Sequence, residues 1–198
     1  LWNASRFVMM NLTGYKPVEL NVSGLPLEDR WILSRLATTT KNVTAALDEY
    51  RHADAARLIY DFAWDEFCSY YVEMAKPRLQ DAASRPATQQ VLIHTLDQLL
   101  RLLHPMTPFI TEAIWQELAK FGEQRTLGGE VEPQKWLIRS AWPTGDASHI
   151  DQVIEQQFAR FVTALGALRE IRSRQNLPPK EEITFTISCD STTQKLLE

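Results

Sequence analysis

Two cysteines, seven glycines and no long apolar run set the first limits on this chain of 198 residues. Cys68 and Cys189 lie far apart and form no CxxC pair, so the sequence offers neither a disulfide framework nor a thiolate metal site. A thiol-reducing, cytoplasmic setting is expected. No stretch approaches the roughly 18 apolar residues that span a bilayer, and the N-terminus lacks the regions of a signal peptide, so no membrane partner is expected. Excess positive charge is missing too: the net charge is −4, and any nucleic-acid site has to be a local patch rather than a basic surface. Both ends, Leu1-Trp2-Asn3 and Gln194-Lys195-Leu196-Leu197-Glu198, read as cuts in something longer.

Signatures of chemistry are also missing. Gly128-Gly129 is not followed by Lys-Ser/Thr, so no phosphate-cradling loop is present, and HExxH, nucleophile-elbow and zinc spacings do not occur. A di-iron bundle needs Glu-x-x-His on two helices. Glu49-Tyr50-Arg51-His52 is the single match and reads as a solvated helix end, while His94 and His104 read as helix-surface or helix-end residues. No catalytic residue, metal ligand or cofactor site is assigned.

What is present is helical periodicity. Ile32, Leu33, Leu36, Val43, Leu47 and Tyr50 predict a helix over 27–50, begun after Pro26. Over 55–79 the apolar residues occupy several faces, which predicts a central, buried helix kinked or ended by Pro77, with Trp64, Phe67 and Tyr71 assigned to core packing. Leu92, Leu96, Leu99, Leu100 and Leu103 predict a third helix closed by His104-Pro105. Thr107-Pro108 reads as N-cap and first turn of a fourth, through Ile110, Ile114, Leu118 and Phe121. With a short helix over 5–12, five helices share one core.

Residues 122–148 read as a long loop, punctuated by Gly122, Gly128-Gly129, Pro133, Pro143 and Gly145, with Trp136-Leu137-Ile138 strand-like. A last helix through Ile154, Phe158, Phe161, Leu165 and Leu168 stops before Pro178-Pro179. The alternation Ile183-Thr184-Phe185-Thr186-Ile187 predicts a half-buried strand. The expected fold is mainly α: a helical domain over 1–145, then 146–198 as a helix plus strand of a small, incomplete α/β module.

Binding chemistry is the remaining candidate. Unstacked RNA bases are held on aromatic and guanidinium planes and through hydrogen bonds to their edges. Trp2, Asn3, Arg6 and Phe7 supply these groups within two helical turns, and spacings of three and four can place them on one face. Core packing of Trp2 and Phe7 is the competing expectation. Arg169, Arg172, Arg174 and Lys180 are possible phosphate contacts, or simply a solvated helix end.

Five segments then carry a resemblance. Leu1-Trp2-Asn3-Ala4-Ser5-Arg6-Phe7-Val8-Met9-Met10-Asn11-Leu12 resembles the entry to the anticodon-binding helical domain of valyl-tRNA synthetases; related isoleucine enzymes typically have Arg in place of Trp2. Asp29-Arg30-Trp31-Ile32-Leu33-Ser34-Arg35-Leu36 and Trp64-Asp65-Glu66-Phe67-Cys68-Ser69-Tyr70-Tyr71-Val72-Glu73 resemble two further helices of that domain. His104-Pro105-Met106-Thr107-Pro108-Phe109 resembles its next helix pair, and Ala141-Trp142-Pro143 the close of its loop. The family more often has Asp-Trp at Ser69-Tyr70 and Leu at Val72.

The resemblance implies a class I aminoacyl-tRNA synthetase that as a whole attaches valine to its tRNA using ATP and magnesium. The HIGH and KMSKS signatures of its catalytic domain do not occur here. This part is then expected to catalyse nothing, to bind the anticodon stem and loop of the tRNA for valine, to work beside its own catalytic domain, and to be monomeric. The resemblance carries anticodon contact onto Asn3, Arg6 and Phe7, with Trp2 and Asn11 in support. Two alternatives stay open: the same domain of an isoleucine or leucine enzyme, or a helical protein-interaction module. An exposed apolar patch would favour the last, and basic side chains gathered on one side would favour RNA.

Overall fold

Trp31, Ile32, Leu33, Leu36, Val43 and Ala46 recur at helical spacing and are all withdrawn from solvent, which is why residues 27–48 settle as one long helix against a core. The structure is a computed structural model that describes residues 1–122, 124–127, 134–178, 181–190 and 194. It divides into two compact units, Leu1–Ile150 and Asp151–Glu198.

The first unit contains α1 (Trp2–Asn11), α2 (Leu27–Asp48), α3 (His52–Asp61), a π-helical segment (Phe62–Tyr71), α4 (Val72–Arg78), α5 (Arg85–Leu103) and α6 (Pro108–Leu118). The central helix is α5, not the 55–79 stretch that the sequence pointed to. α5 packs against α1, α2, α3, α4 and α6, and thirteen of its nineteen residues are buried.

The 55–79 stretch buries one stripe: Ala55, Ile59, Phe62, Phe67, Tyr71, Val72, Ala75 and Leu79. Tyr60 and Trp64 face outward, 59% and 55% exposed, so Trp64 is not a core residue while Phe67 and Tyr71 are. In the middle of the stretch the helix widens. The Val72 N–H bonds the Phe67 carbonyl five residues back, and Ser69 Oγ donates to the Trp64 carbonyl at 2.8 Å. Pro77 is accommodated in the last turn of α4, which ends one residue later.

Burial has also closed over charge. Asp29, in the first turn of α2, accepts from the Tyr71 hydroxyl at 2.7 Å and from the Arg78 guanidinium at 2.7 and 2.6 Å, so both of its oxygens are satisfied without water.

Pro108 opens α6 as expected. Thr107 precedes it, but its hydroxyl donates back to the Leu103 carbonyl at 3.3 Å instead of capping α6. In the following loop, Trp136-Leu137-Ile138 forms no strand. Leu137–Arg139 is a single 3-10 turn with Leu137 buried, because one inward apolar side chain suffices to pin it. Trp142 pins the loop again, donating from Nε1 to Thr44 Oγ1 at 2.9 Å. Gly145 has φ +66, and a Cβ there would stand 3.2 Å from the Ala37 carbonyl oxygen, so the close approach to α2 depends on glycine. Gly128, Gly129 and Pro133 lie outside the described residues.

The second unit contains α7 (Gln152–Arg174). Asp151 caps it, accepting from the Val153 and Ile154 N–H groups at 3.0 and 3.1 Å. The helix ends through Asn176 at φ +52, before Pro178. No strand forms among the described residues. Residues 183–187 alternate as a strand does, but alternation supplies one apolar face and not the backbone partner that a strand needs.

Candidate nucleic-acid interface

Ser5, Val8 and Leu12 turn inward from α1 and are fully buried, which forces the intervening positions outward. Asn3, Arg6 and Met10 are exposed, Trp2 is 48% exposed and Phe7 is half-buried. Trp2, Asn3 and Phe7 line one side of a cleft of about 560 Å3 whose other lining includes Trp64, Cys68, Val72, Glu73, Lys76 and Ile110. The Lys76 ammonium lies 5.7 Å from the centre of the Phe7 ring, within cation–π range, and pairs with Glu73 at 2.6 Å.

Three of the five α1 candidates therefore meet at one cleft. Arg6 stands apart on the exposed face of α1, with no acidic partner among the described residues. Asn11 is occupied structurally: its Nδ2 donates to the Phe7 carbonyl at 2.9 Å, and its own carbonyl accepts from Gln89 at 2.6 Å and Arg85 at 3.3 Å.

The basic set belongs to the second unit. Arg172 donates to the carbonyls of Pro178 and Glu181, the latter at 2.9 Å, and Arg174 pairs with Glu170 at 2.6 Å. Arg169 sits on α7. Lys180 and Pro179 lie outside the described residues.

Trp64, Lys76 and Ile110 were missed as cleft residues. The legible signal was the one-turn spacing of Tyr60, Trp64 and Cys68, hidden by counting every aromatic of the stretch as core.

Elsewhere the chemistry is quiet. Among the described residues no three His, Cys, Asp or Glu side chains gather as a metal site. Glu49 pairs with Arg51 at 2.8 Å, and His52 begins α3 in solvent. Burial pushes the Cys68 thiol above its ordinary range, away from thiolate reactivity.

His94 is half-buried on α5. It lines a cleft of about 570 Å3 beside Gln98, Asp146 and His149, and its Nδ1 accepts the Leu127 N–H at 3.1 Å. Burial, with lesser contributions from His149 and Arg101, depresses its imidazole to about 3. His104 bonds Thr111 Oγ1 through Nδ1 at 2.8 Å. No helix among the described residues is long and apolar enough to cross a membrane.

The helical scaffold thus presents exposed aromatic and amide groups at one cleft and a guanidinium elsewhere on the same helix. A family model described as the anticodon-binding domain of tRNA ligase matches residues 29–187, and the chain belongs to that family. It is similar to valine-tRNA ligases along its whole length. That of Rhodopirellula baltica is 50% identical over 198 residues, which is 100% of this chain and 19% of the relative. The Thermotoga maritima enzyme is 40% identical over 195 residues (98% and 21%), and the Carboxydothermus hydrogenoformans enzyme 40% over 199 (100% and 21%). The chain thus spans about a fifth of the length of these relatives.

Proposed function

We propose that this chain is the part of a valine-tRNA ligase that holds the anticodon stem and loop of its tRNA. The observation that carries the reading is the outward face of α1: Phe7, Trp2 and Asn3 at the cleft supply a ring to stack on and an amide for base edges, and Arg6 supplies charge for a phosphate or a base edge. Arg169, Arg172, Arg174 and Lys180 are further phosphate contacts in this reading, Arg172 and Arg174 by exchange of the partners described above.

The whole enzyme attaches valine to its tRNA with ATP and magnesium, as a cytoplasmic monomer. We assign the ATP and magnesium chemistry to a catalytic domain elsewhere in the longer polypeptide and none of it to residues of this chain. We divide the chain into an anticodon-binding bundle over 1–145 and a following module over 146–198, in which 183–187 becomes a strand once a partner pairs with it.

A second reading has its own support. Phe109, Ile138 and Trp136 are 91%, 76% and 47% exposed around an open apolar groove at the start of α6, as an interaction module requires. The test is binding of valine and isoleucine anticodon stem-loops over a salt series. Preference for the valine hairpin, weakening with salt, upholds tRNA recognition. Absence of binding at low salt leaves the interaction surface as the better account.

A further inference from the structure

We propose that the RNA site continues across the cleft from α1 onto the outer face of α3 and the π-helical segment, where Trp64 and Tyr60 form a stacking wall for unpaired loop bases. The inference rests on the anticodon-binding reading and adds to it the wall that faces α1 and the kind of nucleotide that the wall accepts.

Exposure is the first ground. Trp64 and Tyr60 leave more than half of their surface in water, although the same stretch sends Phe62, Phe67 and Tyr71 fully inside. Their rings lie one turn apart and nearly parallel, 12° between planes with centroids 6.3 Å apart, so they present a continuous flat edge.

Geometry is the second. Trp64 lines the same cleft as Trp2 and Phe7, and a volume of about 560 Å3 falls within the range of ligand-sized clefts, so a planar ring entering it meets aromatic surface on both sides. The widened turn at 62–71 is what sets this face. A helix with five-residue backbone bonds presents its side chains at a different angle from the α-helices that flank it, and such insertions recur at functional sites.

Charge decides which part of the RNA fits. Lys76 at the cleft pairs with Glu73 at 2.6 Å, so a phosphate has to displace a carboxylate to reach it, whereas a base entering between the rings does not. Bases stack on aromatic planes irrespective of sequence and of backbone charge. Paired bases in the stem keep their faces buried against one another, so the wall takes loop nucleotides and not duplex.

The test compares wild type, Trp64→Ala, Trp64→Phe and Tyr60→Ala in the full chain. Two RNAs are used: a valine anticodon stem-loop, and the same stem closed by a non-nucleotide linker. The expected result is about tenfold weaker binding of the stem-loop by Trp64→Ala, most of it regained in Trp64→Phe, and a smaller loss in Tyr60→Ala. The dependence of affinity on salt keeps its slope, because no charge is removed. Binding of the linker-closed stem is unchanged throughout. Wild-type affinity in Trp64→Ala and Tyr60→Ala, with the stem-loop still bound by wild type, overturns the stacking wall and leaves the anticodon reading intact. Equal loss toward both RNAs also overturns it. Failure of wild type to bind the stem-loop removes the reading itself, and the wall with it.

Discussion

Arg78 grips both carboxylate oxygens of Asp29, at 2.7 and 2.6 Å, and so ties the end of α4 to the first turn of α2. Asp29 is fully buried and the Arg78 side chain is 14% exposed, so loss of Arg78 strands Asp29 in a dry site, while loss of Asp29 leaves Arg78 with only its 3.2 Å contact to Glu28. The Tyr71 hydroxyl shares the carboxylate and is held well above the ordinary phenol range, by burial first and by the Asp29 charge second. Asp29→Ala is expected to cost about 3–5 kcal/mol, the usual penalty for a broken buried pair. Urea unfolding measures it, and a loss under about 1 kcal/mol would show that water reaches Arg78. Combined with Arg78→Met, the loss should be smaller than the sum of the two single losses.

Arg6 is the opposite case, an exposed cation on the outer face of α1. Arg6→Ala should leave thermal stability within about 0.5 kcal/mol, as surface changes do. It should weaken stem-loop binding and lower the salt slope by about 1, the signature of one lost phosphate contact. The paired readout separates this role from stacking at Trp64, which leaves the slope alone. A large stability loss with unchanged affinity would make Arg6 a structural residue.

The comparison of these two arginines marks how far the sequence could be read. Helices α2, α5, α6 and α7 were legible because apolar spacing near 3.6 records burial directly. The face of α1 was legible in part, since Ser5, Val8 and Leu12 fix which side turns inward. The wall opposite it was not. Composition over 62–71 is equally compatible with α and π bonding, and an aromatic residue there is as good a core residue as a surface one until the neighbouring helices are placed. Asn11 is a different case: the partners of its backbone carbonyl, Gln89 and Arg85, and of its Nδ2, the Phe7 carbonyl, are not visible in the motif that marks it. The 183–187 alternation describes one strand's faces and nothing about a partner.

His94 makes the fold sensitive to acid. Its imidazole is held neutral in the cleft beside α5 and titrates near 3, below the ordinary 6.5. The unfolded chain therefore takes up a proton between those values that the native state refuses. This contribution to stability is complete above pH 6.5 and declines as the pH falls from there toward 3, by about 1 kcal/mol between pH 6.5 and 5.5. His94→Gln should flatten that part of the profile. Thermal unfolding of both proteins from pH 8 to 5 decides the matter: equal slopes would mean that His94 is protonated in the folded protein.

Asp97 carries a heavier electrostatic load. Its carboxylate meets Arg101 Nε at 2.7 Å and Arg125 Nε at 3.1 Å, and all three side chains are almost entirely shielded from water. Arg125 lies 4.0 Å over the Trp115 ring, and its Nη1 and Nη2 have no hydrogen-bond partner among the described residues. Two buried cations thus share one anion, and the second is held chiefly by the indole face and one oblique ion pair. Asp97→Ala strands both and should cost 3 kcal/mol or more, at least about the penalty for one orphaned buried charge. Arg125→Met keeps the Asp97–Arg101 pair, substitutes apolar bulk over Trp115 and spares a guanidinium its desolvation, so it should cost no more than about 1 kcal/mol and can be stabilising. The ratio of the two losses in urea unfolding is the discriminating quantity: comparable losses would mean that the contact with Trp115 outweighs the unmet hydrogen bonds of Arg125.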